Sequence, residues 1–405
     1  MKYFLKLFIL IPILSFSQQT NISLLPGYSN QSFYSMLNGE VLNIENDNWD
    51  IAFSTDIYST SIRINDGKGA ELYIYPLGDT SAWNNINSSV TSILNQPLYN
   101  SSTSWEIGAF DMNTIGGFDY GWGVYNLQNH HVIGDSLYIL KSIDGNWKKL
   151  WIQRKVSGDF LFKYADLDGN NLVNESVAAS SYNNKRFIYY SVNSQSVLDR
   201  EPNMSEWDIT FTKYITPVMG TPYGVTGVLS NVGIEIAETN VSDPSNYTNY
   251  SSHSFDTLMD VIGYDWKSYQ SGGYIIDPNR CYFIKDYFNN VWRIVFNSFD
   301  GMSTGNISFN TELVSNTTSI TDSEVFLNIY PNPANDYFSI ITDGVNEGSL
   351  LQFTDISGRI VFEKFILNSS LFEHKFNSSS FTKGIYLVNL INNENLVSVN
   401  KLIIH

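Results

Sequence analysis

Across 405 residues there is one cysteine, Cys281, so neither an intrachain disulfide nor a thiolate metal cluster can form. Cys281 adjoins Tyr282-Phe283-Ile284 in an apparent strand with no His or Asn beside it, which reads as a buried structural thiol. Histidines number five, and charged residues are only 16 % of the chain. Basic side chains are scarce: 23 Lys and Arg face 40 Asp and Glu, a net charge of −17. Such a surface repels nucleic acid and anionic headgroups, so neither is an expected partner. Past residue 17 no apolar run is long enough for a transmembrane helix. Catalytic signatures are missing as well: no Gly-x-Ser-x-Gly elbow, no His-Glu-x-x-His pair, no Gly-x-Gly-x-x-Gly. The expectation is a protein that binds rather than an enzyme.

Aromatic residues, at 15 %, nearly match the charged ones, and Asn, Ser and Tyr are abundant. That is the composition of an exported β-protein with wide polar sheet faces. The length calls for two or three domains. Helical periodicity is weak, with short helices expected only around 172–180 and 255–261. Lys2 and Lys6 precede the apolar run Leu7 to Phe16, and Ser15-Phe16-Ser17 offers a cleavage site before Gln18. Residues 1–17 therefore read as a secretory signal peptide.

The other end is punctuated by turns. Tyr330-Pro331-Asn332-Pro333 forbids a helix, and short apolar strands around Ile329, Phe338, Leu351 and Ile360 are separated by Asp343-Gly344, Ser357-Gly358 and Lys383-Gly384. This pattern predicts a small immunoglobulin-like β-sandwich over 326–405. With Phe353-Thr354-Asp355-Ile356-Ser357-Gly358-Arg359 and Lys383-Gly384-Ile385-Tyr386-Leu387-Val388, it resembles the type A C-terminal sorting domain of the type IX secretion system. The resemblance implies export to the outer cell surface or beyond, with the secretion machinery as partner and both signal peptide and sorting domain removed by cleavage.

Between these ends lies an internal repeat. Trp49-Asp50-Ile51-Ala52-Phe53 returns as Trp207-Asp208-Ile209-Thr210-Phe211, offset by 158. Tyr138-Ile139-Leu140-Lys141 returns as Tyr282-Phe283-Ile284-Lys285, offset by 144, and Lys149, Leu150 and Ile152 then match Arg293, Ile294 and Phe296. Trp105 and Trp266 look like a weaker pair between these blocks. Trp49, Ile51 and Phe53 alternate with Asp50 and Ala52 as a strand with one apolar face. Asp144-Gly145-Asn146 is a hairpin signal, and Asn289-Asn290 replaces it with another residue type that tolerates positive φ. The expected divisions are a first β module over 18–197, a second over 198–312, a Ser/Thr/Asn-rich linker over 313–325, and the tail.

The Trp49 strand, the Ile64-Asn65-Asp66-Gly67 turn, the Tyr138 to Lys149 hairpin and Phe160 to Gly169 resemble the HmuY-like haem-binding family. Both modules then imply a mostly β, antiparallel surface protein that captures haem or a related tetrapyrrole without catalysis. Haem iron takes axial His, Met, Cys or Tyr. His130 and His131 are the first candidates, and Met112 and Met219 are partners of the kind the family uses. Adjacent residues on an extended chain face opposite ways, so His130 and His131 cannot both serve one iron face. Asp166-Leu167-Asp168-Gly169-Asn170-Asn171 lacks the spacing of a calcium loop and reads as a turn. Adhesion through glycan or protein recognition is the alternative function, and glycan hydrolysis stands third. Asp50 and Asp208, inside the repeated strands, read as structural hydrogen-bonding groups.

Overall fold

The computed structural model describes residues 18–315, 326–343, 349–355, 358–366, 372–392 and 395–405. The chain divides into two compact units between Asn316 and Thr317. The expected signal peptide and residues 316–325 of the expected linker lie outside the described residues; Leu313 to Ser315 finish a strand. The fold is mostly β, and every paired strand is antiparallel, as the alternation and turn chemistry predict.

The first unit holds two β-sandwiches with separate apolar cores. In one, the small sheet Ser196–Leu198, Phe187–Ser191, Ile51–Ser54, Ile62–Ile64 faces a large sheet. That large sheet runs Val173–Val177, Asp159–Asp166, Trp147–Val156, Tyr138–Lys141, Glu71–Ile74. In the other, Gly39–Glu45, Asn30–Ser35, Ile209–Val218 and Thr221–Ser230 form the small sheet. Its large sheet runs Gln18–Ser23, Asn306–Ser315, Val291–Phe299, Arg280–Lys285, Glu235–Asn240. The two orders match strand for strand, except that the first large sheet carries two further strands, Gly123–Asn126 and His131–Gly134, beside Trp147–Val156. The match reveals a closure that linear order hides: the second sandwich is completed by the first strands of the chain. Gln18–Ser23 pairs with Asn306–Ser315, and Asn30–Ser35 with Ile209–Val218. The expected boundary at 197/198 is therefore corrected. Residues 18–45 belong with the second sandwich, because its cross-strand partners lie there.

Equivalent residues do equivalent work. Trp49 packs edge-on against Tyr189 at 4.8 Å, and Trp207 against Phe33 at 5.0 Å. Each Trp precedes its strand, so Trp49 lies with Ala52 and Tyr189 and not, as alternation suggested, with Ile51 and Phe53. The Asp50 carboxylate accepts from the Ile143 and Val192 N–H groups, and Asp208 from that of Met36. Asn65 and Asn231 donate to the Trp49 and Trp207 carbonyls. Cross-strand ion pairs recur too, Glu71–Lys141 at 2.9 Å and Glu235–Lys285 at 2.5 Å. Gly145 and Asn289 hold the equivalent turns at φ 82° and 59°.

Trp105 does not pair with Trp266. The residue at offset 144 is Trp122; both Trp122 and Trp266 are fully buried, and their carbonyls accept from Asp135 and Asp277. Trp105 instead lies between the outer faces of the two small sheets, and its indole donates to Ser230 O at 2.8 Å. There Arg200 reaches Gln31 at 3.0 Å and Thr216 reaches Ser102 at 3.0 Å. Gly67 lies so close to the Ile209–Val218 strand that a Cβ would stand 2.0 Å from Lys213 O.

The expected helices do not form. Val173–Val177 is an edge strand beside Asp159–Asp166, followed by a single 3₁₀ turn, and 255–261 is irregular. Cys281 is buried and free; burial pushes its thiol up to about 11.

The second unit is a β-sandwich: Phe326–Tyr330, Tyr337–Asp343 and Phe372–Asn377 against Ile360–Phe365, Leu350–Asp355, Gly384–Asn392 and Asn395–Ile404. Phe338, Phe353 and Phe376 centre its core. The Pro-Asn-Pro segment is tied to the last strand by Asn332 Nδ2 to Lys401 O at 2.5 Å and Ala334 N to Ile403 O at 2.8 Å.

Candidate functional site

The strand Ile62–Ile64 is an edge, and an edge leaves backbone N–H groups unpaired. Here two side chains from the long excursion between Glu71–Ile74 and Gly123–Asn126 take the place of a neighbouring strand. Asn100 Oδ1 accepts from Ile64 N at 3.1 Å while its amide donates to Ile64 O at 2.7 Å. Asp111 Oδ2 accepts from Ile62 N at 3.1 Å and Gly108 N at 2.9 Å. So close is the contact that a Cβ on Gly108 would meet Ile62 O at 2.0 Å. Arg63 then pins the excursion, donating to the carbonyls of Ser101 and Ser104 at 2.9 Å each.

The turn at 56–60 forms the facing wall. Lys155 directs its ammonium to the carbonyls of Asp56 and Ser59, Trp122 donates to Thr60 O at 3.0 Å, and Ser59 donates to Glu106 at 2.7 Å. Arg186 pairs with the other Glu106 oxygen. Between the walls opens a cleft of about 460 Å³, lined among others by Tyr58, Glu106, Asp111, Met112 and Tyr120. Burial drives the Asp111 carboxyl well above its ordinary value, and its Oδ1 has no hydrogen-bond partner. Burial also lowers Lys155 to about 8. Another open cleft, about 560 Å³ around Asn21, Glu40, Asn43 and Asp300, is lined without an aromatic ring.

The four residues expected to serve haem are not gathered at one place. Met112 stands on the rim of the 460 Å³ cleft, half exposed. His130 occupies the turn between Gly123–Asn126 and His131–Gly134 at φ 59°, its Nδ1 2.7 Å from the Tyr125 hydroxyl. His131 starts the second of these strands, opposite Asn126. Met219 is fully exposed at the tip of the Ile209–Val218/Thr221–Ser230 hairpin, in the other sandwich. A residue at a two-residue hairpin tip is held away from both cores. Among the described residues no group of three or more His, Cys, Asp and Glu stands ready for a metal. Asp166 to Asn171 is the turn its spacing indicates, with Asn171 donating to Asp166 at 2.6 Å and Gly169 at φ 93°. Sequence reasoning missed Tyr58, Glu106, Asp111 and Tyr120. Only the spacing of Gly108 and Asp111 around Ala109-Phe110 hinted at a turn that brings a carboxylate inward.

Residues 328–405 match the family described as "Secretion system C-terminal sorting domain". The tail is a sorting domain. It directs the protein through the type IX secretion machinery to the cell surface or the medium. Among the described residues no helix is long and apolar enough to cross a membrane. No curated protein matches the chain. Two solved structures are similar over long stretches. PorZ, a surface component of the type IX secretion system of Porphyromonas gingivalis, is 10 % identical, with 72 % of this chain and 52 % of PorZ covered at TM-score 0.17. Dimeric latent PorU from the same organism is 10 % identical, with 92 % and 40 % covered at TM-score 0.22. The chain thus spans about half the length of PorZ and less of PorU. At such scores neither likeness bears on fold or function.

Proposed function

We propose that residues 18–315 are a non-enzymatic capture unit, delivered outside the cell by the sorting domain, with the 460 Å³ cleft as ligand site. The observation that carries this reading is the contrast between rigid walls and an apolar rim. The walls are held by hydrogen bonds from Asn100, Asp111, Arg63, Lys155 and Trp122, yet among the lining residues Tyr58 is 86 % exposed, and Ile107 and Met112 are also exposed. Large apolar groups left open beside a preformed cavity mark a binding surface. Haem or a related tetrapyrrole is the ligand that the family resemblance implies, and Met112 is the one expected ligand residue at this cleft. Hemin titration of the purified chain is the test. A Soret shift lost in Met112→Ala assigns haem to the cleft; an unshifted spectrum in oxidised and reduced samples removes haem from the reading.

A further inference from the structure

We infer that the cleft takes a neutral, hydroxyl-rich sugar ring of a glycan, stacked on Tyr58 and hydrogen-bonded to the oxygens of the cleft wall. This rests on the cleft being the capture site proposed above. Its polar lining residues, Ser59, Thr60, Glu106, Asp111, Thr114 and the two tyrosines, all carry oxygen-bearing side chains. Carboxylate oxygens accept, and hydroxyls turn to suit, so a polyol that donates from several positions finds partners there.

Cations are close by but withheld. Lys155 is bound to the carbonyls of Asp56 and Ser59, Arg186 is paired with Glu106, and neither lines the cleft. An anionic ligand, haem propionates included, would find no Lys, Arg or His among the lining residues to pair with it. Tyr58 supplies the stacking face. Its ring is 86 % exposed, while its own N–H is fixed on Asp56 Oδ1 at 2.8 Å and the carbonyls of Asp56, Ser59 and Thr60 are all engaged. An aromatic ring held out on a hydrogen-bonded turn loses little freedom when a sugar's C–H face covers it. Asp111 anchors this wall from within, its Oδ2 holding Ile62 N and Gly108 N, which leaves the half-exposed Glu106 as the carboxylate nearer the opening.

The whole exported chain is screened on an array of neutral and sialylated oligosaccharides, and the tightest neutral member is titrated calorimetrically. Neutral members should bind more tightly than their sialylated counterparts. Tyr58→Ala should weaken binding by roughly tenfold, the loss of one stacked ring, and Tyr58→Phe should keep it. Failure of neutral oligosaccharides to bind, or undiminished binding by Tyr58→Ala, overturns the inference. Hemin binding that depends on Met112, without oligosaccharide binding, overturns the sugar class and leaves capture at the cleft standing. Oligosaccharide that binds through Tyr58 and is cleaved supports the sugar class and removes capture without turnover.

Discussion

Two buried aspartates, one per sandwich, close the same loop-to-strand junction, and both carry a cost of desolvation. Burial raises Asp50, and it pushes Asp208 from its ordinary 3.8 up to about 6. The folded protein then keeps protons that the unfolded chain releases, so this stability is present below about pH 4 and lost as pH rises through 6. Glu201, buried beside Tyr189, is pushed up to about 7 and extends the window with the same sign. At about 1.4 kcal/mol per pH unit, Asp208 alone accounts for a loss on the order of 3 kcal/mol. Asp166 acts the other way, since its hydrogen bond from Lys148 holds it below the usual range and fails in stronger acid. The urea midpoint should therefore be higher at pH 5 than at pH 7.5, and Asp208→Asn should flatten that slope. A midpoint that climbs across this window would contradict the assignment. Gly108→Ala tests the cleft wall: overpacking against Ile62 O should cost about 2 kcal/mol, read by denaturation, and should impair ligand binding.

Among the elements, what the sequence made legible was what repeats in order. Trp49-Asp50 and Trp207-Asp208, the Lys141 and Lys285 hairpins, and the Gly145 and Asn289 turns all sit in equivalent places. Linear comparison could not see that Phe33-Tyr34 is the counterpart of Tyr189-Tyr190, because the second sandwich draws those strands from the chain's beginning. The counterpart of Trp266 is Trp122 and not Trp105, an equivalence that rests on burial and on the Asp135 and Asp277 N–H groups bonded to their carbonyls, contacts between backbone groups that residue order does not display. The cleft was illegible for another reason: its walls meet through one glycine contact and side chains that imitate a strand, with no fixed spacing to read. Element exchange supplies a prediction. Removing residues 18–45 should cut hydrogen-exchange protection in Ile209–Val218 and Asn306–Ser315 while Ile51–Ser54 and Asp159–Asp166 keep theirs. Equal loss in both sandwiches would show that they do not fold as separate cores.

As a whole, the molecule joins a double sandwich, bonded back to back through polar side chains and Trp105, to a sorting domain that governs where it goes. Removing residues 328–405 should leave the remainder in the periplasm, measured by surface labelling of intact cells. Continued display would separate export from the tail. What stands or falls with the cleft is the proposed capture of a ligand there without turnover. Its most direct measurement is equilibrium dialysis of the chain and Tyr58→Ala against a mixture of hemin and neutral oligosaccharides, with mass analysis of what is retained. Wild-type protein should retain a neutral oligosaccharide chemically intact, and Tyr58→Ala should retain far less. Accumulating cleavage products, or equal retention by the two proteins, would contradict it.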